Sequence, residues 1–349
     1  MPELFVTNFN RNFTGVSATA AGVIRQQQAA YDLALIGHPL PGCPTPIGRD
    51  EARRLSRRVP ATRPFAIWHV RRNPEMRAAL WARDVLRLPI KIVFTSAAQR
   101  YHSALPRWLI ARMDAVIATT DKAADFVPHV RAVVHHGVDC TRYTPAPDRA
   151  AAWAATGYPG TRGIATIGRI RPEKGTDLTV ETLIRTLPGT PDTTALVLGR
   201  AKSGDQAFLD GLKEKIAAAG LTDRILFPGE IPADDLPALL RALSLVVQLP
   251  RYEGYGMAPL EALASATPIL ASEAGFFREF TQGGRNGLVV PLDDVAAATE
   301  ALKAMLSDAD KLGAMSQHAR QDAEKLFNIT GEAAGINAVY ERLWAEDTP

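Results

Sequence analysis

The chain has 349 residues, which at roughly 150 residues per domain predicts two domains. Hydrophobic residues make up 46% and charged residues 22%, values that exclude a disordered, collagen-like or disulfide-scaffold protein. The net charge of +3 hides an asymmetry: residues 1–150 carry 21 Lys and Arg against 11 Asp and Glu, whereas residues 151–349 carry 19 against 26. The basic half predicts an anionic partner such as nucleic acid, a membrane surface or an acidic substrate, unless the asymmetry has no function.

The cysteines and the N-terminal segment indicate the compartment. Cys43 and Cys140 are the only cysteines and lack metal-ligand spacing, so we expect free thiols in a reducing environment. The segment MPELFVTNFN has neither the positive charge nor the apolar region of a signal peptide. No stretch approaches the ~20 apolar residues that span a bilayer. We therefore expect a cytoplasmic protein that does not cross the membrane.

Apolar runs alternate with helical patterns along the first half of the chain. Predicted strands lie at 3–7, 32–37, 65–68, 90–94, 115–118 and 131–134. Predicted helices lie at 16–29, 49–58, 74–87, 102–112 and 120–126. This alternation of nearly continuous apolar strands with helices is typical of a parallel sheet covered on both faces.

The second half repeats the scheme after a break at 141–150, where Pro145 and Pro147 stop regular structure. Predicted strands lie at 163–167, 194–199, 224–227, 244–248, 268–271 and 287–290. Predicted helices lie at 175–186, 205–219, 233–242, 257–265, 294–306, 309–325 and 331–345. The pattern predicts two doubly wound α/β domains facing a cleft, with ligands at the carboxyl ends of the strands.

The segment RYEGYGMAPLEALASATPIL (251–270) follows a predicted strand and opens a helix. Its glycines allow close backbone approach to a ligand, and the free amides of the helix start favour an anion. Glu253 and Glu261 could accept hydrogen bonds from sugar hydroxyls beside such an anion. The alternative is a plain turn with solvated acids. The residues expected to contact a ligand through this turn are Gly254, Tyr255, Gly256, Met257 and Ala258.

Two further segments follow predicted strands. GRIRPEKGTD (168–177) places Arg169 and Lys174 at a helix entrance, where two cations suit a diphosphate leaving group. A solvated basic turn is the alternative. NFTGVSAT (12–19) has Gly15 at another helix start, but one glycine is a weak match to a dinucleotide fingerprint.

Together these segments resemble retaining glycosyltransferases of family 4, which have the GT-B fold. The family's paired-glutamate signature is similar to Glu253–Ile269, with Met257 in place of the usual Leu, and its GRxxxEKG element is matched by Gly168–Gly175. HHGVDCTRYTP (135–145) looks like the family's NGVD element, with His136 in place of Asn, and 227–250 follows its next pattern. The resemblance is strong over about 135–300 and loose over 1–134.

The resemblance implies roles for these residues. Glu261 would bind the nucleotide ribose and Glu253 the donor sugar hydroxyls, while amides of 254–258 would hold sugar and phosphate. Arg169 and Lys174 would stabilise the departing diphosphate, so no metal or other cofactor is expected. The backbone of Gly229, Glu230 and Ile231 would contact the nucleotide base. The resemblance further implies retention of anomeric configuration by front-face attack.

The sequence departs from the family at one position. Many members carry a His after an N-domain strand, beside the donor sugar, where this chain has Thr95 or Ser96. His69 and His102 are the nearest substitutes and are candidate catalytic residues, although each is more typical of a structural or surface histidine.

The N-terminal half sets the acceptor in such enzymes, and here it is rich in arginine. The segments 49–58 and 69–77 are basic, and Arg71, Arg72 and Arg100 are candidate acceptor contacts. A solvated basic face is the alternative to docking on an anionic leaflet or glycan. With TSAAQR (95–100) as a further cue, the chain resembles bacterial lipopolysaccharide core mannosyltransferases. These transfer mannose from GDP-mannose to the acidic sugar Kdo.

These observations together predict two domains. An acceptor domain would span 1–146 with a returning C-terminal helix at about 331–349, and a donor domain 147–330. The predicted protein is a peripheral enzyme at the inner face of the cytoplasmic membrane that uses GDP-mannose and an anionic glycolipid and binds no nucleic acid. The alternatives are a UDP-sugar-dependent glucosyl, galactosyl or N-acetylglucosaminyl transferase, a nucleotide-sugar isomerase, and a non-catalytic nucleic-acid or membrane binder.

Overall fold

The computed structural model describes residues 1–12 and 14–346. Contacts divide the chain into two units, a first unit of 1–137 and 327–349 and a second unit of 138–326. Phe13 in the segment 12–19, and residues 347–349 at the end of the expected C-terminal helix, lie outside the described residues. No described helix is long and apolar enough to span a bilayer.

The first unit is built on a six-stranded parallel sheet with strand order β2-β1-β3-β4-β5-β6. The strands are β1 (Leu4–Asn8), β2 (Leu33–Gly37), β3 (Ala66–Val70), β4 (Ile90–Ser96), β5 (Ala115–Ala118) and β6 (Val130–Val133). The helices are α1 (Gly15–Gln27), α2 (Arg49–Leu55), α3 (Asn73–Leu80), α4 (Ala104–Ile110) and α5 (Asp121–Ala124). A π-helical turn, Trp81–Val85, extends α3.

Two apolar layers cover the faces of this sheet. α2, α3 and α4 pack on one face through residues such as Ala52, Leu80 and Leu109. α1 packs on the other face together with α14 (Ile329–Glu346), whose Tyr340 and Trp344 are buried. The expected return of the C-terminal helix to the first unit is therefore present, and it fills the core that α1 alone would leave open.

The second unit has a six-stranded parallel sheet in the order β12-β11-β10-β7-β8-β9. The strands are β7 (Arg162–Ile167), β8 (Thr193–Leu198), β9 (Ile225–Gly229), β10 (Leu243–Gln248), β11 (Ile269–Ser272) and β12 (Gly287–Val290). The helices are α6 (Arg149–Ala154), α7 (Thr176–Thr186), α8 (Gln206–Ala218), α9 (Leu236–Ala242), α10 (Met257–Ala264), α11 (Phe277–Thr281), α12 (Val295–Ser307) and α13 (Ala309–Leu326). The sheet core is completed on one face by α7, α8, α12 and α13.

The first boundary differs from the expected one at 146/147. The structure places it after Gly137, because the segment that follows is held by the second unit. The Arg320 guanidinium donates to the carbonyls of Tyr143 at 2.7 Å and Cys140 at 3.0 Å. The second boundary falls after Leu326 rather than after 330, since the start of α14 already packs in the first unit. Sequence analysis also missed α6 and α11, which are short.

Both cysteines are free thiols in the structure. Burial raises the pKa of Cys43 and of Cys140 to about 11, which makes thiolate chemistry at neutral pH unfavourable.

Candidate functional site

The strand order of the second unit determines where a ligand would bind. β7 and β10 are neighbours, and the chain leaves this pair in opposite directions across the sheet, to β8 on one side and β11 on the other. Ligands bind outside the carboxyl ends of strands at such a switch point. The loops that leave β7 and β10 are 168–175 and 249–256, which are the two segments singled out in the sequence. Parallel pairing therefore brings both segments to one edge of one sheet.

The two loops are in direct contact at Gly175. Its φ of 63° is left-handed, and a Cβ atom here would lie 1.7 Å from the carbonyl oxygen of Leu249. Any other residue would therefore push the loops apart. The family element GRxxxEKG ends on this glycine, and the close contact with Leu249 explains why a glycine is needed there.

Arg251 fastens the same loops with side-chain hydrogen bonds. Its guanidinium donates to both Asp177 carboxylate oxygens, at 2.8 and 2.9 Å, and to the Pro172 carbonyl at 2.5 Å. It also donates to Asp293 at 2.7 Å. Burial alone would raise the pKa of Asp177, but the bonds from Arg251 outweigh it and lower that pKa. No role for Arg251 could be assigned from the sequence, because nothing near it in the chain indicates Asp177 or Pro172 as its partners.

Lys174 and Glu253 form an ion pair at this edge. The Lys174 Nζ lies 2.6 Å from Glu253 Oε2, and each side chain is 24% exposed. The other carboxylate oxygen accepts the Gly254 amide at 2.9 Å. The expected cation and the expected acid thus contact each other. A charged pair that stays partly solvated at a sheet edge is accessible to a polyanionic ligand.

The start of α10 adds an uncapped helix N-terminus next to Glu253. Gly256 precedes the helix with φ 109°, and no side chain caps it. A Cβ on Gly256 would lie 2.1 Å from the Phe277 ring, so only glycine fits. With no acidic residue in the first turn either, the N–H groups of this turn and the positive end of the helix dipole favour an anion.

Arg169 supplies the exposed cation of the site. Its guanidinium is exposed and makes no hydrogen bond or ion pair with the part of the chain that the structure describes. The backbone before Arg169 is closely packed against the next strand's loop. A Cβ atom on Gly199 would lie only 1.9 Å from the Gly168 carbonyl oxygen. A small pocket at the end of β7 is lined by residues that include Gly168, Arg169 and Lys174. Packing therefore fixes the backbone of this loop, whereas no bond among the described residues holds the Arg169 guanidinium.

Glu261 lies in α10 and is partly buried. Burial raises its pKa to about 7, although a hydrogen bond with the Tyr143 hydroxyl and the nearby Arg142 act to lower it. A carboxyl group whose pKa lies near neutrality beside an anion site is typical of functional positions, although structural networks also produce it. The sequence analysis identified Glu261 but not Tyr143, which lies 118 residues earlier in the chain.

Tyr255 was expected to contact the donor through its backbone amide, and its side chain has a separate structural role. Its side chain is only 3% exposed and stacks on Phe276 with ring centroids 5.0 Å apart. Phe280 packs edge-on against both rings. Within the second unit the side chain is thus a core residue that holds the 251–256 turn against α11. The signal was available: FFREF (276–280) has aromatic residues at helical spacing.

The residues expected near a nucleotide base lie at the end of the neighbouring strand β9. The Gly229 carbonyl accepts the Gly199 amide at 2.8 Å. The Glu230 side chain is exposed and pairs with Arg200 at 2.9 Å, whereas Ile231 is partly buried. These residues share the carboxyl edge of the sheet with the anion site. Met257 and Ala258, in the first turn of α10, are partly exposed at the same edge.

His69 and Thr95 form a buried pair in the first unit. His69 is fully buried, with Nε2 2.7 Å from Thr95 Oγ1 and Nδ1 bonded to the Tyr340 hydroxyl. Burial and the Arg71 charge lower its pKa well below the usual value, so it stays neutral. The structure therefore contradicts a catalytic role for His69, because neither ring nitrogen is available. Ser96, the other residue at the family's histidine position, is also buried.

His102 and Arg100 precede α4. The His102 imidazole is partly buried, and burial with the Arg100 charge lowers its pKa. Arg100 is exposed. Both remain candidates that the structure places on a loop of the first unit after β4.

Glu75 explains what Arg71 and Arg72 do. Glu75 is fully buried and accepts the amides of Arg71 at 2.8 Å and Phe9 at 3.1 Å. It also accepts the Thr7 hydroxyl at 3.0 Å and pairs with Arg72 at 3.1 Å. Arg72 bonds in addition to Asn8, Thr14 and Ser17, so its guanidinium joins β1, α1 and β3.

This network corrects the expectation that Arg72 is an acceptor contact, because its donors are used within the unit. The Arg71 guanidinium is instead buried, and its Nη1 atom has no hydrogen-bond partner among the described residues. Gly15 begins α1 beside the network, and a Cβ atom added to it would meet none of the described non-neighbouring residues within 4 Å. In the sequence, Glu75 is noticeable only as a member of the basic segment 69–77.

His136 has a structural role as well. Its Nδ1 lies 2.7 Å from Glu332 Oε1, and the Gly137 amide donates to the other oxygen at 2.8 Å. A Cβ on Gly137 would lie 2.6 Å from the Ile329 Cα. The segment 135–137 thus anchors the start of α14.

Comparison with known proteins shows the family of the chain. The family model "Glycosyl transferases group 1" matches residues 156–322. A lipopolysaccharide core biosynthesis mannosyltransferase, LpsB of Rhizobium meliloti, is 41% identical over 346 residues, covering 98% of this chain and 97% of the relative. LpcC of Rhizobium leguminosarum bv. viciae, with the same description, is 40% identical and covers 99% and 97%.

The chain belongs to the glycosyl transferase group 1 family. It is a glycosyltransferase with the GT-B fold. Among solved structures, Anabaena HepE in complex with UDP and glucose superposes with a TM-score of 0.83 over 98% of this chain and all of that chain, and at 15% identity it shows the fold alone. The C-terminal domain of Francisella tularensis LpcC is 34% identical, with a TM-score of 0.54, covering 55% of this chain and 100% of that one.

Among the described residues, no group of three or more His, Cys, Asp or Glu is arranged to hold a metal ion.

Proposed function

We propose that this glycosyltransferase moves mannose from GDP-mannose to an anionic glycolipid, such as the Kdo inner core of lipopolysaccharide, with retention of anomeric configuration. The observation that carries the proposal is the Lys174–Glu253 pair next to the uncapped start of α10, in a chain that aligns over nearly its full length with two lipopolysaccharide core mannosyltransferases. The anion site suits a nucleoside diphosphate, and the paired acid suits a sugar.

In the proposed reaction, the donor diphosphate binds between Lys174, Arg169 and the start of α10. The negative charge on the leaving diphosphate grows as the glycosidic bond breaks, and groups already aimed at it lower the barrier. Lys174 would exchange its bond with Glu253 for one with phosphate, which frees the carboxylate to accept sugar hydroxyls. Because these cations neutralise the leaving group, we propose that turnover needs no metal ion.

Glu261 and the end of β9 would bind the nucleoside. The Glu261 carboxyl, oriented by Tyr143, is proposed to accept from the ribose hydroxyls. The backbone of 229–231, at the same sheet edge, is proposed to contact the base. A base held by backbone groups is read by hydrogen-bond pattern and pocket shape.

The acceptor proposal rests on the charge of the first unit. Residues 1–137 and 327–349 contain 20 Lys and Arg against 13 Asp and Glu, whereas 138–326 contain 20 against 24. With Arg72 bonded internally, the exposed Arg100 and the buried, incompletely bonded Arg71 are the candidates for an acceptor carboxylate. A carboxylate-bearing sugar matches the planar guanidinium group. We further propose that the enzyme works at the inner face of the cytoplasmic membrane, where such an acceptor is embedded.

The direct test is incubation with GDP-mannose and a Kdo-containing lipid acceptor, followed by mass measurement of the product. We expect an increase of one hexose, an α-anomeric product by NMR, and activity that survives EDTA. Thermal shifts with GDP, UDP and ADP separate the donor classes. Stabilisation by UDP alone would reject GDP-mannose in favour of a UDP-sugar donor, and donor consumption without acceptor would indicate an isomerase.

Variants at the anion site test the assignment of residues. Lys174→Ala and Glu253→Ala should each lower kcat by about 100- to 1,000-fold, the usual loss on removing one group that stabilises developing charge. Circular dichroism should show an unchanged fold, because both side chains are partly exposed. Lys303→Ala is the matched control, since Lys303 forms an exposed pair with Glu300 on α12 at 3.1 Å. Activity retained in both site variants would refute these roles.

A further inference from the structure

The outer surface of α2, α3 and α4 has an unusual composition. These helices cover one face of the first sheet, and residues 49–58, 73–87 and 104–112 together contain ten arginines and no lysine. The same ranges contain four acidic residues, of which Glu75 is fully buried. Asp50 and Glu51 each pair with an arginine three residues on. The free charge of this surface is therefore strongly positive.

Large apolar side chains on this surface are exposed to solvent. Trp108 is 52% exposed and Leu105 55%, one helical turn apart on α4. Trp81 is 42% exposed and Val85 63%, one turn apart on the π-helical extension of α3. α3 and α4 contact each other, so the two pairs belong to neighbouring helices. Large apolar side chains exposed in pairs on a positively charged surface are typical of an interaction site.

Arginines are stacked on both exposed tryptophans. The Arg53 guanidinium lies 4.4 Å from the centre of the Trp81 ring, and the Arg112 guanidinium 3.9 Å from that of Trp108. Trp68, Trp153 and Trp344 are instead buried at 2% exposure or less. Aromatic rings with adjacent cations suit the interface of a bilayer, where the ring lies among acyl-chain ends and the cation among phosphates.

We infer that this surface, defined by Arg53, Arg57, Trp81, Val85, Leu105 and Trp108 and named here the α2–α4 face, docks the enzyme on an anionic lipid bilayer by inserting its apolar side chains at headgroup depth. Charge complementarity favours anionic lipid, because a protein partner would need an acidic surface of matching shape. The inference specifies the membrane association of the proposed function, and it rests on that proposal only for the choice of the inner leaflet.

The experiment is co-sedimentation of the full chain with vesicles of phosphatidylcholine containing phosphatidylglycerol, compared with phosphatidylcholine alone. We expect binding to the anionic vesicles that weakens with salt. Brominated lipids should quench the tryptophan fluorescence, with the signal arising from Trp81 and Trp108. Leu105→Ser with Trp108→Ser should weaken binding by about tenfold or more, and each of Arg53→Ser and Arg57→Ser by about fivefold.

Leu292→Ser is the matched control, because Leu292 is 46% exposed in the second unit. Equal binding to both vesicle types, no binding to either, or binding that the α2–α4 variants leave unchanged would each overturn the inference. So would self-association that depends on Trp108 in the absence of vesicle binding, since it would indicate a second copy as the partner. Transfer of mannose to a delipidated acceptor separates the two proposals. Absence of this transfer in the wild type would reject the proposed function, whereas vesicle binding tests only the α2–α4 face.

Discussion

The two units carry the same kind of sheet but use its switch point differently. In the second unit, the point between β7 and β10 presents Lys174 and Glu253, each 24% exposed, and an exposed Arg169. In the first unit, the chain changes direction between β1 and β3, and there the fully buried Glu75 is bonded by Arg72 and by backbone amides. The same topological position can thus hold charge for a ligand or satisfy charge within the chain. Solvent exposure distinguishes the two uses.

The largest expected effect lies in the first unit. Glu75→Ala would leave Arg72 and the amides of Phe9 and Arg71 without their acceptor, and breaking a buried ion pair costs about 3–5 kcal/mol. We expect denaturant unfolding to show this loss. Nucleotide affinity should change little in protein that remains folded.

Glu51→Ala is the matched control, because Glu51 forms an exposed pair with Arg54 at 3.6 Å. Its loss should be below about 1 kcal/mol. If the two variants unfold alike, Glu75 contributes no more than a surface acid and the contrast between the units fails.

The sequence predicted the architecture well, for an identifiable physical reason. All twelve strands lie where apolar runs predict them. Strands that are buried on both faces contain few polar residues, so they stand out in the sequence as apolar runs. The loops 168–175 and 249–256 were also singled out, since glycines and charges directly after a strand are a local signal. That they meet follows from the order β10-β7, which is a long-range property that no segment encodes by itself.

The residues that sequence reasoning missed or misassigned share a different property. Glu75, Arg251 and Tyr143 act through partners that are distant in sequence or that are backbone atoms, so their neighbours in the chain give no sign of them. His69 was expected in the site as a substitute for the family's histidine, but its side chain is buried and both ring nitrogens are bonded within the unit. Proximity in sequence places the backbone at a sheet edge but does not determine which way a side chain points.

Arg251 offers a test within the second unit, with a smaller expected effect. Arg251→Ala removes the bonds that join Asp177 and Pro172 to the β10 loop, while Gly175 still packs on Leu249. We expect a stability loss of about 2 kcal/mol, since charge-assisted bonds contribute about 1.5–3 kcal/mol and this side chain is partly solvated.

Nucleotide affinity should also fall in Arg251→Ala, because Lys174 lies on the loop that is released. Isothermal titration with the cognate nucleoside diphosphate measures this. Arg251→Lys should restore little, because an ammonium group does not reproduce two parallel bonds to Asp177. Full rescue by lysine would show that charge alone, and not bidentate geometry, fastens the loops.

The last expected effect is a dependence of stability on pH at Glu261, which disappears in acid. Its pKa is raised from an ordinary 4.5 to about 7 in the folded chain. Between these values the folded state holds the proton more tightly than the unfolded state, so this group's contribution to stability falls as pH rises from 4.5 to 7 and is lost above 7.

Glu261→Gln, which carries no charge, should therefore be more stable than wild type at pH above 7, by about 1–3 kcal/mol, with the difference vanishing in acid. Tyr143→Phe removes a bond that lowers the Glu261 pKa in the folded chain, so it should move the upper end of the pH window higher and leave its lower end, set by the unfolded chain, near 4.5. Thermal unfolding of the three proteins across this pH range tests both statements, and parallel curves for wild type and Glu261→Gln would show that the carboxylate is solvated. A stability gain accompanied by weaker nucleotide binding would mean that a buried acid is retained at the second switch point at a cost to folding, whereas Glu75 at the first switch point stabilises its fold.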